Sequence, residues 1–159
     1  MQLTREELNS AGRRVGGRCL RRGDSILMVA VALTLAACAL ITGYDPTSYQ
    51  HATDLKAQSL VLIEKATEAP TKHIAEIEDL RLKLRQAYEY ERGKGSPNAI
   101  TVQQWELLND PRGALLGGFL KKWQDENKGQ SDAFLKGLAK NVGDAFDQII
   151  KLENKKVKN

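Results

Sequence analysis

The sequence predicts an all-α protein: a small up-and-down helical bundle, with three main helices and a broken one, after an N-terminal signal or anchor segment. Three observations predict it. Beyond Cys38 the breaks are few (Gly43 to Pro46, Pro70, Gly93 to Pro97, Asp110-Pro111 and Gly129), and the stretches between them are too long for strands. Those stretches are rich in Ala, Leu, Lys, Glu and Gln, which form helices readily. No run alternates β-branched with polar residues, and no internal repeat is evident. A length of 159 residues leaves room for one small domain.

Each helix has its own signature. The first is expected over 46–67, with Asp45 as N-cap and Pro46 in the first turn. Ala52, Leu55, Ser59, Leu62, Ile63 and Ala66 share one side, while Leu60 and Val61 fall off that stripe and suggest cover on more than one face. The second, over 72–92, places Ile74, Ile77, Leu80, Leu84, Ala87 and Tyr88 on one arc, with Thr71 as N-cap and Gly93 as stop. Residues 99–109 are weakly helical, and Asp110-Pro111 opens a further segment from Arg112 to Trp123. The last helix, over 132–155, has Ser131 as cap and a stripe of Leu135, Leu138, Val142, Ala145, Phe146, Ile149 and Leu152. Gly137 and Gly143 each cost it about 1 kcal/mol relative to alanine, and they either allow close packing or loosen the helix.

The net charge of +4 is unevenly distributed. Residues 1–37 carry six arginines against Glu6, Glu7 and Asp24, so the basicity belongs mostly to the lead. The remaining chain is nearly neutral with signs interspersed, which excludes a nucleic-acid backbone binder. The tail Lys151, Lys155, Lys156 and Lys158 reads as a solvated helix end favoured by the helix dipole, with a lipid- or polyanion-binding patch as the alternative.

From Ser25 to Gly43 no residue is charged. An arginine-rich lead before a short apolar run is the layout of an export signal, and positive charge stays on the cytoplasmic side. Within the run, Leu35-Ala36-Ala37-Cys38 resembles the lipobox of bacterial membrane lipoproteins. That resemblance implies cleavage between Ala37 and Cys38, acylation of Cys38, and a lipid-anchored chain facing the periplasm. Ala39 after the cysteine implies outer-membrane sorting if the cell is Gram-negative. The expected division is then a signal peptide or signal anchor over 1–37, a tether over 38–48 and a helical envelope domain over 49–159. Two features depart from the pattern: a lead of 24 residues, and apolar residues directly after the cysteine. Both suit an uncleaved, single-pass signal anchor in the inner membrane, since nineteen uncharged residues reach roughly 28 Å. A third reading makes the run a buried soluble helix.

Catalytic motifs are absent by inspection. There is no Gly-x-Ser-x-Gly elbow and no His-Glu-x-x-His pair, and two histidines and two cysteines cannot build a Cys/His zinc set. His51 and His73 stand alone in the sequence, and Glu91 to Pro97 lacks the first glycine of a phosphate loop and reads as a linker. No cofactor or metal is called for. The segment of interest is Leu115, Leu116, Phe119, Leu120, Lys121, Lys122 and Trp123, apolar on one arc with lysines beside it. That pattern fits either a core helix or a surface that meets a bilayer or a partner helix. The expected function is a non-enzymatic envelope lipoprotein: an interaction module with the bilayer as one partner, through Cys38, and an envelope protein as another. An exclusion- or immunity-type lipoprotein of a mobile element and an envelope hydrolase are the alternatives.

Overall fold

The computed structural model describes residues 43–156. The chain divides into two units after Ala36, and the described residues all belong to the second. That unit is helical throughout: α1 Pro46–Lys65, α2 Ile74–Gly93, α3 Ala99–Asn109, α4 Leu116–Glu126 and α5 Asp132–Lys155, with short 3-10 turns at Pro70–Lys72 and Ser96–Asn98. None of the described helices is long and apolar enough to cross a membrane. The signal, cleavage and lipidation calls at Ala37 and Cys38 lie outside the described residues.

The expected caps hold at two helices and fail at a third. Asp45 caps α1 by accepting from the Thr47 amide at 2.9 Å, with Pro46 in the first turn. Ser131 caps α5 by accepting from the Phe134 amide at 3.4 Å. Thr71, however, lies inside a 3-10 turn nucleated by the buried Pro70, and α2 starts only after His73, without a side-chain cap.

Helices α1, α2, α3 and α5 alternate in direction, because the start of α1 lies against the end of α2, the start of α3 and the end of α5. Their inward stripes form one core. Leu55, Leu62 and Ile63 of α1 meet Ile77, Leu80 and Leu84 of α2, while Trp105 of α3 packs edge-on against Phe146 of α5 at 5.9 Å. Burying a large aromatic or aliphatic side chain contributes about 1.5–3 kcal/mol, so this stripe is the main stabilising element. The first helix is covered on one side: its six predicted inward residues are all buried, whereas Val61 is exposed. Ile74, expected on the α2 stripe, is exposed because it sits in the first turn, beyond the reach of the core.

The broken helix is a true break. The expected segment from Arg112 begins only at Leu116, because Asp110 closes a turn, accepting from the Gly113 amide at 3.0 Å through its carbonyl and from the Arg112 amide at 2.9 Å through its carboxylate. The next helix then folds back tightly: a Cβ at Gly117 would lie 2.3 Å from the Asn109 carbonyl oxygen, and one at Gly118 1.8 Å from that of Gly113. Only glycine permits that approach. Helix α4 reaches the end of the bundle opposite the start of α1 through Trp123, which donates from Nε1 to the Glu68 carbonyl at 3.1 Å. Its stop is Asn127, left-handed at φ 47°, a conformation asparagine tolerates better than most residues.

Candidate functional site

The apolar stripes of three helices each carry a polar residue at the same end of the bundle. Ser48 precedes Ala52 and Leu55 on α1; Glu91 follows Leu84 and Ala87 on α2; Glu153 follows Phe146 and Ile149 on α5. All three are buried. The helices therefore converge on a polar cluster rather than on a further layer of hydrocarbon.

The cluster closes into a ring. Lys94 Nζ, just past the end of α2, lies 2.8 Å from Asp45 Oδ2 and 3.1 Å from Glu91 Oε2. Ser48 Oγ accepts from Lys94 and donates to Glu91. Asn98 donates from Nδ2 to the Glu91 carboxylate at 2.6 Å and to the Glu91 carbonyl at 2.9 Å, and accepts from Lys156 Nζ at 3.1 Å. Lys156 Nζ stands 2.6 Å from Glu153 Oε2, and Glu153 Oε1 accepts from the Asp45 amide at 2.6 Å. Tyr90 donates its hydroxyl to Asp45 at 2.7 Å. Gly95, at φ 80°, supplies the reversal that brings Asn98 back under Glu91.

Charge in this ring is compensated at short range. Burial alone would raise the Asp45 carboxyl, but hydrogen bonds from Lys94, Tyr90 and the Thr47 amide outweigh it and hold the group well below the usual carboxylate range. Burial likewise works to lower Lys94, yet the Asp45 hydrogen bond and the Glu91 charge raise it above the ordinary lysine value. The Tyr90 phenol is raised chiefly by its bond to Asp45. Such a cluster cannot act as a general acid or base near neutral pH through Asp45 or Lys94. What it can do is lock the entry of the chain, at Asp45, to the ends of α2 and α5.

Several expectations change here. Lys156, read as part of a solvated tail, is buried as the partner of Glu153 and Asn98, because from the extended C-cap of α5 its ammonium turns in to the buried carboxylate three residues earlier. The string from Glu91 to Pro97, read as a linker, supplies two members of the ring. The helical unit begins at its cap Asp45 rather than at 49, so the stretch that can serve as a tether after Cys38 is shorter than expected.

The segment 115–123 has its apolar residues in the core. Leu116, Phe119, Leu120 and Trp123 are buried, Leu115 is packed against the same core, and Lys121 and Lys122 point outward. Phe119 stacks on Trp123 at 5.7 Å, and Lys121 pairs with Asp125 at 2.5 Å. The apolar arc offered as a candidate contact surface is thus already occupied within the domain, as the core reading of its pattern has it.

His51 packs edge-on against Tyr90 at 5.3 Å. His73 lies between two carboxylates, Nε2 at 3.0 Å from Glu68 and Nδ1 at 3.2 Å from Glu76, over the face of Trp123. Its two nitrogens face different carboxylates, so the trio braces the turn between α1 and α2 and does not converge on one ion. Among the described residues no group of histidine, cysteine and carboxylate side chains could hold a metal. Compared with known proteins, the chain matches no protein family, no curated sequence and no solved structure.

Proposed function

We propose that this chain is a non-enzymatic lipoprotein of the bacterial cell envelope, held on a bilayer through an acylated Cys38 and presenting its helical domain to an envelope protein partner. The observation that carries the reading is Leu35-Ala36-Ala37-Cys38 at the end of an uncharged run behind an arginine-rich lead. Several acyl chains would hold the chain at the surface, whereas one alone would be marginal. On this reading the domain faces the periplasm, on the outer membrane if the cell is Gram-negative.

The position of the ring supports a tether. Six residues, 39–44, separate Cys38 from Asp45. Fully extended, they reach only about 20 Å, so the end of the bundle that carries the ring would stay close to the headgroups. Any pull on the anchor would then act on Asp45, which is tied by side chain to Lys94 and Tyr90 and by its amide to Glu153. The buried carboxylates Glu91 and Glu153 are each tied to a lysine, which fits a structural use better than a catalytic one.

Mass analysis of the membrane-bound protein tests the proposal. The expected product begins at an acylated Cys38, and Cys38→Ala leaves the precursor unprocessed. A chain with an intact Met1 and an unmodified Cys38 overturns lipidation in favour of the single-pass signal anchor.

A further inference from the structure

Every carboxylate at the ring end of the bundle has a cation, and two lysines are left over. Asp45, Glu91 and Glu153 are bound to Lys94 and Lys156, and Glu89, near the end of α2, is held by Arg92 at 2.9 Å. Lys151 and Lys155 lie one turn apart on the last turns of α5. Both are exposed, and neither makes an ion pair among the described residues. The acids behind them on α5 are already taken, Asp147 by Lys56 at 2.6 Å and Asp144 by Lys140 at 2.6 Å. Five cations thus stand against four carboxylates at this end, and the unpaired ones are the two outer lysines.

The same end presents amphipathic and apolar side chains to solvent. Three of the chain's 4 tyrosines are there. Tyr44 and Tyr49, at the start of α1, are partly exposed. Tyr90, 40% exposed, is fixed by its bond to Asp45 and its edge-on contact with His51. Ile100, in the first turn of α3, is 63% exposed. A tyrosine ring suits the boundary between water and hydrocarbon, because its body is apolar and its tip polar. The chain also enters at this end, and only residues 39–44 join Asp45 to Cys38.

We infer that the ring end is a lipid-contact face, resting on the anionic phosphate headgroups of the bilayer that holds the anchor. Lys151 and Lys155 meet the phosphates, while Tyr90 and Ile100 settle between the headgroups. The contact rests on the tether of the proposed function, which sets this end nearest the membrane. Because the tether makes the contact intramolecular, a modest patch is enough. Each lysine at an anionic surface favours contact about fivefold, and the pair about 25-fold. A soluble acidic protein would attract the same lysines, but it would compete with a surface held at most about 20 Å away. Stable anchoring by lipid takes two signals, and a basic face is a second one beside an acyl chain.

The chain purified from membranes is reconstituted into vesicles of phosphatidylcholine, alone or with phosphatidylglycerol added. Amine acetylation and hydroxyl-radical oxidation are read residue by residue by mass spectrometry, which reports the acyl group on Cys38 in the same sample. With phosphatidylglycerol, acetylation of Lys151 and Lys155 and oxidation of Tyr90 are expected to slow at least about fivefold. High salt should reverse the change. Lys72 and Lys128, exposed near the opposite end of α1, are the controls and should not respond. Lys151→Glu with Lys155→Glu should abolish the protection of Tyr90 at unchanged far-UV circular dichroism. Equal protection of Lys72 and Lys128, protection indifferent to phosphatidylglycerol, or none on any vesicle overturns the inference. So does protection in native membranes that disappears in pure lipid, because a protein then covers the face. An acylated Cys38 without protection removes the lipid face and leaves the anchor. Protection on an unacylated chain keeps the face and replaces the acyl anchor by the single-pass one.

Discussion

Replacing Lys94 by methionine removes the cation that two carboxylates share. The amine lies 2.8 Å from Asp45 and 3.1 Å from Glu91, the latter inside the bundle, and the methionine keeps most of the stem volume. Ser48, Tyr90 and Asn98 still donate to the two acids, but no positive charge remains beside them. Breaking a buried pair by removing one member costs about 3–5 kcal/mol, and Lys94 keeps a small exposure, so a loss of about 3 kcal/mol is expected at pH 7. Urea unfolding of the solubilised chain, followed by circular dichroism, measures it. The control is Lys140→Met, which breaks the 2.6 Å pair with Asp144 on an exposed face and should change nothing measurable.

The pH dependence gives this prediction a sign. In the native protein Asp45 titrates below its unfolded value, so its contribution is present above about pH 4 and fades as pH falls through the folded value. Lys94 is raised, so its contribution is complete below about pH 10 and is lost as pH rises through the folded value. Without Lys94 the Asp45 carboxyl loses the strongest of the hydrogen bonds that lower it, and so less of its contribution is left to lose on acidification. The variant should therefore lose less stability than the native protein as pH falls below about 4, and the two curves should converge there. A penalty below about 1 kcal/mol at pH 7, the size of an exposed pair, refutes the reasoning. A penalty that does not change with pH refutes it as well.

Two glycines separate conformational cost from contact. Gly137 is exposed in α5 with open space around its missing Cβ, so Gly137→Ala should stabilise by about 0.5–1 kcal/mol and raise the midpoint of thermal unfolding. Gly118→Ala drives a methyl into the Gly113 carbonyl, a backbone atom that cannot swing aside, and should destabilise by about 3 kcal/mol or more, read by the same melting curve.

The helices were legible because their signal is local and periodic. Caps at Asp45 and Ser131, breaks at Pro70 and Pro111 and stripes such as Leu135-Leu138-Val142 lie within a turn or two of the residues they govern. Errors arose where tertiary packing overrides that signal. Val61 and Leu60 differ from their neighbours only in which side the core lies on, and Leu116 begins its helix late because the turn at Asp110 must close first. The ring was missed because its bonds join residues as far apart as Asp45 and Glu153, and sequence spacing says nothing of such pairs. A signal was nonetheless present. On α2 the inward positions Ile77, Leu80, Leu84 and Ala87 are followed, one turn later, by Glu91, and on α5 Val142, Phe146 and Ile149 are followed by Glu153. A charge that continues an apolar stripe is placed inside by its helix. Two such charges at stripe ends imply buried cations to match.

Why the bundle should end in charge follows from what hydrocarbon cannot do. An apolar layer at that end would tolerate a one-turn slip of α1 against α2 and α5, since leucine contacts are nearly interchangeable. The ring does not. Asp45, Glu91 and Glu153 each require a particular donor, and a slip of one turn would leave buried charge unpaired at a cost larger than the packing it preserved. The ring therefore fixes the register of the helices at the place where the chain enters. If Cys38 is the anchor, that is also the place where force from the bilayer is delivered.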